Sequence, residues 1–124
     1  GHLANRLTSA LYREAVYLIS EGVAEVADVD SVMSNGPGLR LALLGPHMNY
    51  HLGGGEGGYR HYLEHLGPSQ EERWRTLGQT PLTPEIKEKL IQGIEKQNIP
   101  ISELKTRRDN SLIEILKVKK ASKL

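Results

Sequence analysis

The sequence predicts an all-α helical bundle of about six or seven helices. Three observations lead there. Apolar residues recur at helical spacing from Leu3 onward. Gly and Pro punctuate the chain where helices would end and restart. No stretch alternates apolar and polar residues in the manner of a half-buried strand.

The first element runs from Leu3 to Gly22. Leu3, Leu7, Ala10, Leu11, Ala15, Leu18 and Ile19 form its apolar stripe, while Thr8, Arg13, Glu14 and Ser20 are free to face water or a partner. Gly22 stands where a left-handed helix C-cap is common. The later helices are expected to pack against this one. A short second helix carries Val26, Val29, Val32 and Met33, with Asp28 and Asp30 near its front, where the helix dipole favours negative charge. Asn35-Gly36-Pro37-Gly38 breaks it. A third helix over Leu39–Gly45 is nearly all apolar and is expected to be buried on most sides.

Pro46 opens the segment PHMNYHL, which the glycines at 53–58 interrupt. YRHYLEHLG resumes as a helix expected to end at Gly67. Pro68-Ser69 then begins another, with Ser69 and Glu72 spaced as a capping box and Trp74 and Leu77 further along. Thr83-Pro84 is a good N-cap and first-turn pair for a helix reaching Gln97. Asn98 to Pro100 ends that helix, and Ser102 is placed to cap a last one. Leu104, Leu112, Ile113, Ile115, Leu116 and Val118 form the apolar side of that helix, and lysines crowd its end as a solvated terminus.

The bulk properties exclude several function classes. The 124 residues suffice for one domain with a modest core. A net charge of +1 makes no case for nucleic acid or an acidic membrane surface. No apolar run reaches the length of a membrane span. Cysteine is absent, which removes disulfides and thiolate metal sites and fits a cytoplasmic protein. The chain begins Gly1-His2 and enters a helix at once, which suggests a fragment, a processed chain or a tag remnant, with a trimmed small domain and half of a larger enzyme as equal readings.

Four features are candidates for chemistry. Gly53, Gly55 and Gly58 satisfy G-x-G-x-x-G, but the dinucleotide fingerprint needs a preceding strand and a βαβ unit. A flexible turn allowing close backbone approach is the plainer reading. His47 with His51, and His61 with His65, have the i, i+4 spacing of metal ligands, yet no third ligand is marked, so a structural role is expected. Tyr50, Tyr59, Tyr62 and Trp74 bracket the glycines and could cradle a cation or, more simply, cover a small core or subunit interface. Asn5-Arg6 is the most suggestive pair. An amide both donates and accepts, so it can orient a carbonyl or an imidazole, and a guanidinium suits a carboxylate or phosphate. Taken alone, the plainer reading prevails: Asn5 caps or frays a helix start, and Arg6 pairs with a nearby acid.

The ordered series Gly1, Asn5, Arg6, Leu7, Glu14, Glu21, Gly22, Asp30, Gly36, Gly38, Arg40, Gly45 and Pro46 resembles the start of the C-terminal domain of the L-3-hydroxyacyl-CoA dehydrogenase family. The later YHLGGGEGGYRHYLEHLGPSQEERW is most similar to the branch that includes the L-carnitine dehydrogenases. The resemblance implies a helical domain like the C-terminal domain of 6-phosphogluconate dehydrogenase, spanning residues 1–124 and serving substrate binding and dimerisation. It implies an N-terminal Rossmann domain, outside this chain, that binds NAD and carries the His–Glu acid/base dyad. It also implies a small-molecule substrate, either an acyl-CoA or a 3-hydroxy acid such as carnitine, and a homodimer. By the same resemblance Asn5 maps to the Asn that helps place the substrate oxygen. Arg40, Tyr50 and Tyr59 are added as substrate-side candidates from their residue types alone. None of the five His inherits the dyad, and no metal is expected. The alternative is a free-standing helical dimerisation or ligand-binding module without catalysis.

Overall fold

All 124 residues are described in a computed structural model, which contains seven α-helices and no strand. Helix α1 spans His2–Ser20 and ends as expected, with Gly22 in the left-handed region at φ +69°. Its apolar stripe is covered only over its last turns. Val16 and Ile19 are buried, whereas Leu3, Leu7 and Leu11 are 75%, 57% and 48% exposed. The reason is the reach of its neighbours, because α2 (Val26–Asn35) and α6 (Pro84–Glu95) are the helices that pack against α1. The expectation that every later helix would pack on α1 is therefore corrected.

The junctions around the end of α1 are specific. Lys89 Nζ donates to the Ile19 carbonyl at 2.8 Å, placing a cation at the negative end of the α1 dipole. Lys96 Nζ meets Glu25 Oε2 at 3.0 Å, which ties α6 to the start of α2. The Glu25 amide donates to Asp28 Oδ2, so Asp28 sits in the first turn as its charge requires. Thr83 caps α6 by accepting from the Ile86 amide.

Helix α3 has the expected length but starts and ends two residues earlier than expected, at Pro37–Leu43, and α4 follows at Pro46–Gly53. Leu39, Leu41 and Leu43 are 57%, 43% and 39% exposed, so α3 is not buried on most sides. It packs against α2 and α4 at its two junctions. After a single 3₁₀ turn at Gly55–Gly57, α5 runs without a break from Gly58 to Thr76. The expected split at Gly67 does not occur. Pro68 removes one rung of the ladder, and the rungs on either side carry the helix through. No capping box forms, because Ser69 Oγ donates back to the Leu66 carbonyl and Glu72 pairs with Arg75. The last helix, α7, spans Ile101–Ser122 with Pro100 rather than Ser102 at its N-cap.

The closest packing in the molecule is at glycines. Six residues are buried, and apart from Val16 and Ile19 they are Gly54, Gly58, Gly78 and Gly93. Gly54 lies against the backbone of Gly58 where α4 turns into α5, and Gly93 lies against the Val26 side chain where α6 crosses α2. Gly58 also has φ +63° and faces the His51 ring, so two constraints exclude a side chain there.

Candidate functional site

Asn5 lies in the second turn of α1, on the face away from the covered end. His2, Asn5, Arg6, Ser9 and Arg13 follow helical spacing and line one shallow hollow of about 490 Å³, with Ala10 as its apolar member. No hydrogen bond within the chain engages the side chain of Asn5. Its backbone carbonyl accepts from Thr8 Oγ1, and its amide donates to the Gly1 carbonyl. Arg6 and Arg13 form no ion pair. The hollow thus presents an uncommitted amide beside two permanent positive charges, an arrangement able to orient an oxygen and attract an anion.

The other sequence candidates lie elsewhere. Arg40 sits on exposed α3 with no side-chain partner. Tyr50 on α4 and Tyr59 on α5 belong to an aromatic cluster between those helices. Tyr50 stacks on Tyr62 at 4.7 Å, Tyr59 is tilted against Tyr62 at 6.2 Å, and His47 Nδ1 hydrogen-bonds the Tyr59 hydroxyl at 2.8 Å. None of Arg40, Tyr50 or Tyr59 lines the Asn5 hollow. Trp74 is 61% exposed near the far end of α5 and takes no part in the cluster. Dehydration, and next the neighbouring Tyr50, push the Tyr62 phenol above its ordinary range.

The histidine pairs have local work. His51 Nδ1 accepts from the Tyr59 amide at 2.9 Å, which serves an orphan donor near the front of α5. His61 and His65 stack at 4.0 Å, and no group of three metal-ligating side chains converges anywhere. The glycine run does not fit a dinucleotide. A helix precedes it, a 3₁₀ turn fills it, and no strand exists for a βαβ unit.

Two structural residues escaped the sequence reading. Asn49 Nδ2 reaches the carbonyls of Leu44, Gly45 and Arg40 at 2.5, 3.0 and 3.3 Å, and so closes the C-terminus of α3 onto α4. Its position three residues after Pro46 was the one available signal. Glu14 was expected to face water or a partner, but it binds the Gly78 amide, a pairing with no signal in local sequence.

Comparison with known proteins identifies the family. Residues 1–96 match the family described as 3-hydroxyacyl-CoA dehydrogenase, C-terminal domain. An L-carnitine dehydrogenase of Bacillus cereus is 43% identical over 120 residues, covering 95% of this chain and 37% of that protein. Those of Oceanobacillus iheyensis and Pseudomonas putida are 41% and 34% identical, over 94% and 99% of this chain and 38% and 39% of theirs. The chain thus spans less than two-fifths of the length of these curated relatives. With seven helices, no strand, and a family match over most of its length, the chain belongs to the 3-hydroxyacyl-CoA dehydrogenase C-terminal domain family.

Proposed function

We propose that these 124 residues are the C-terminal substrate and dimerisation domain of an NAD-dependent dehydrogenase. The enzyme oxidises the 3-hydroxyl of an acyl-CoA, or of a 3-hydroxy acid such as L-carnitine, to a 3-keto group. NAD is held by an N-terminal domain outside these residues and supplies the hydride acceptor. The observation that carries the reading is the free amide of Asn5 at the front of α1, at the position the family resemblance assigns to substrate placement.

In this reading Asn5 touches the substrate oxygen, and Arg6 and Arg13 supply positive charge to the anionic end of the substrate. Arg40, Tyr50 and Tyr59 reach substrate from other elements once the second domain closes the cleft. The enzyme is cytoplasmic and homodimeric, and this domain alone performs no turnover, because it holds neither cofactor nor acid/base dyad.

The test is an NAD-linked assay of the full-length parent protein with L-carnitine and with 3-hydroxybutyryl-CoA. NADH formation with either substrate is expected, and the preferred one identifies the branch. A full-length, folded parent that oxidises neither would overturn the reading.

A further inference from the structure

Arg13 has no acidic partner, and the sequence explains why. No Asp or Glu stands anywhere before Glu14. The positions one helical turn either side of Arg13 are Ser9, Ala10, Val16 and Tyr17, so no ion pair along the helix is available. Glu14, the acid beside it in sequence, gives its carboxylate to the Gly78 amide at 3.0 Å. Arg75, Arg107 and Arg108, by contrast, each meet a carboxylate. Arg13 keeps its charge for something outside the chain, and it lines the same hollow as Asn5.

The spacing of the two residues acts as a ruler. Asn5 and Arg13 are eight positions apart, a rise of about 12 Å along α1. Side chains of an α-helix lean toward its N-terminus, so an extended Arg13 covers the turn of Ser9 and Ala10, which also line the hollow. Its guanidinium then stands about one helical pitch, about 5–6 Å, from the level of Asn5. With a substrate hydroxyl on the Asn5 amide, the carboxylate of a 3-hydroxy acid is one methylene away and falls within that span. A thioester carries no charge there, and the phosphates of an acyl-CoA lie beyond its whole pantetheine arm. Arg6 leans past Asn5 toward His2 and belongs to the Asn-Arg-Leu motif of the family series. Arg13 is not in that series.

We propose that Arg13 is the specificity-determining residue of the Asn5 hollow: its guanidinium takes the free carboxylate of a small 3-hydroxy acid while Asn5 orients the 3-hydroxyl. A guanidinium meets a carboxylate through two parallel hydrogen bonds, which fix both charge and orientation. The same charge gains nothing from a neutral thioester, so the site selects the free acid. The inference rests on the proposed function and narrows its substrate class.

The test compares L-carnitine with its primary amide, which differ only at the carboxylate, and with 3-hydroxybutyryl-CoA, in the full-length parent with NAD. The parent is expected to favour L-carnitine over both. Arg13→Met should lower kcat/KM for L-carnitine roughly tenfold to hundredfold, chiefly through KM, and change that for the amide far less. The acid-to-amide ratio is the deciding readout, because partial loss of folded enzyme lowers both values together and leaves the ratio alone. Arg13→Lys keeps the charge without the planar fork and should hold an intermediate ratio. A parent that prefers the thioester, an Arg13→Met ratio equal to that of the parent, or a ratio lost in Arg6→Met instead would each overturn this inference and leave the dehydrogenase reading standing. A folded parent that oxidises none of the three would overturn that reading and this inference with it.

Discussion

The Gly78 amide donates to Glu14 Oε2 at 3.0 Å, across 64 residues of sequence. The contact fastens the non-helical strap between α5 and α6 to the middle of α1. Ser20 Oγ and Thr80 Oγ1 repeat the attachment at 3.1 Å two turns further along. Gly78 is buried against the Tyr17 ring, in the space a Cβ would occupy. Removing the carboxylate leaves a covered N–H unpaired, so Glu14→Ala should cost about 1.5–3 kcal/mol in urea denaturation. Glu14→Gln keeps an acceptor and should cost less. Equal losses from both would show that the charge, not the acceptor, matters.

Gly93 makes an independent prediction at the α6–α2 crossing. A methyl group there would overlap the Val26 side chain. Ala is the better helix former by about 1 kcal/mol, so propensity alone predicts that Gly93→Ala stabilises. The crossing should reverse the sign, with a net loss of about 1–2 kcal/mol from overpacking. Gly93→Ala paired with Val26→Ala should recover part of that loss. A stabilised single variant would mean that the two helices separate easily.

The aromatic cluster predicts a pH dependence. Dehydration and the adjacent Tyr50 raise the folded-state pKa of Tyr62 above its ordinary value of 10.0. A raised pKa means that the folded state holds its proton where the unfolded state has lost it. The contribution is therefore fully present below pH 10.0 and is lost as pH rises through the folded value. Denaturation midpoints should fall above about pH 10 in the parent chain. Tyr62→Phe has no phenol to titrate and should show a smaller fall.

For Asn5 the informative quantity is the split between kinetic constants. In the full-length enzyme Asn5→Ala should lower kcat by roughly 10²-fold while changing KM less, as expected of a group that orients the reacting oxygen. The Asn5 side chain is exposed and makes no hydrogen bond within the chain, so the substitution should leave the melting temperature of the domain unchanged. An unchanged kcat would remove Asn5 from the reaction.

Local order was legible in the sequence wherever one or two residues decide it. Gly22 ends α1, Thr83-Pro84 starts α6, and Pro37 and Pro46 open α3 and α4, because caps and fixed φ angles act within a single turn. The family series from Gly1 to Pro46 was legible for a similar reason, since ordered spacing is itself information. Continuity through Pro68 was not, because whether a helix survives a lost rung depends on the turns beyond it.

Which apolar residues are covered was a tertiary matter. Leu3, Leu7 and Leu11 carry the same stripe as Ile19, yet only Ile19 has α6 laid over it. Hydrophobic spacing says which face seeks burial but not what stands opposite. The sequence by itself determined an all-α chain of this family, with an Asn-Arg pair early in its first helix. Only the tertiary structure decided that Asn5 stands apart from Tyr50 and Tyr59, that glycines mark the closest crossings, and that α7 remains uncovered. Those facts depend on distances between elements far apart in sequence, and no local propensity encodes them.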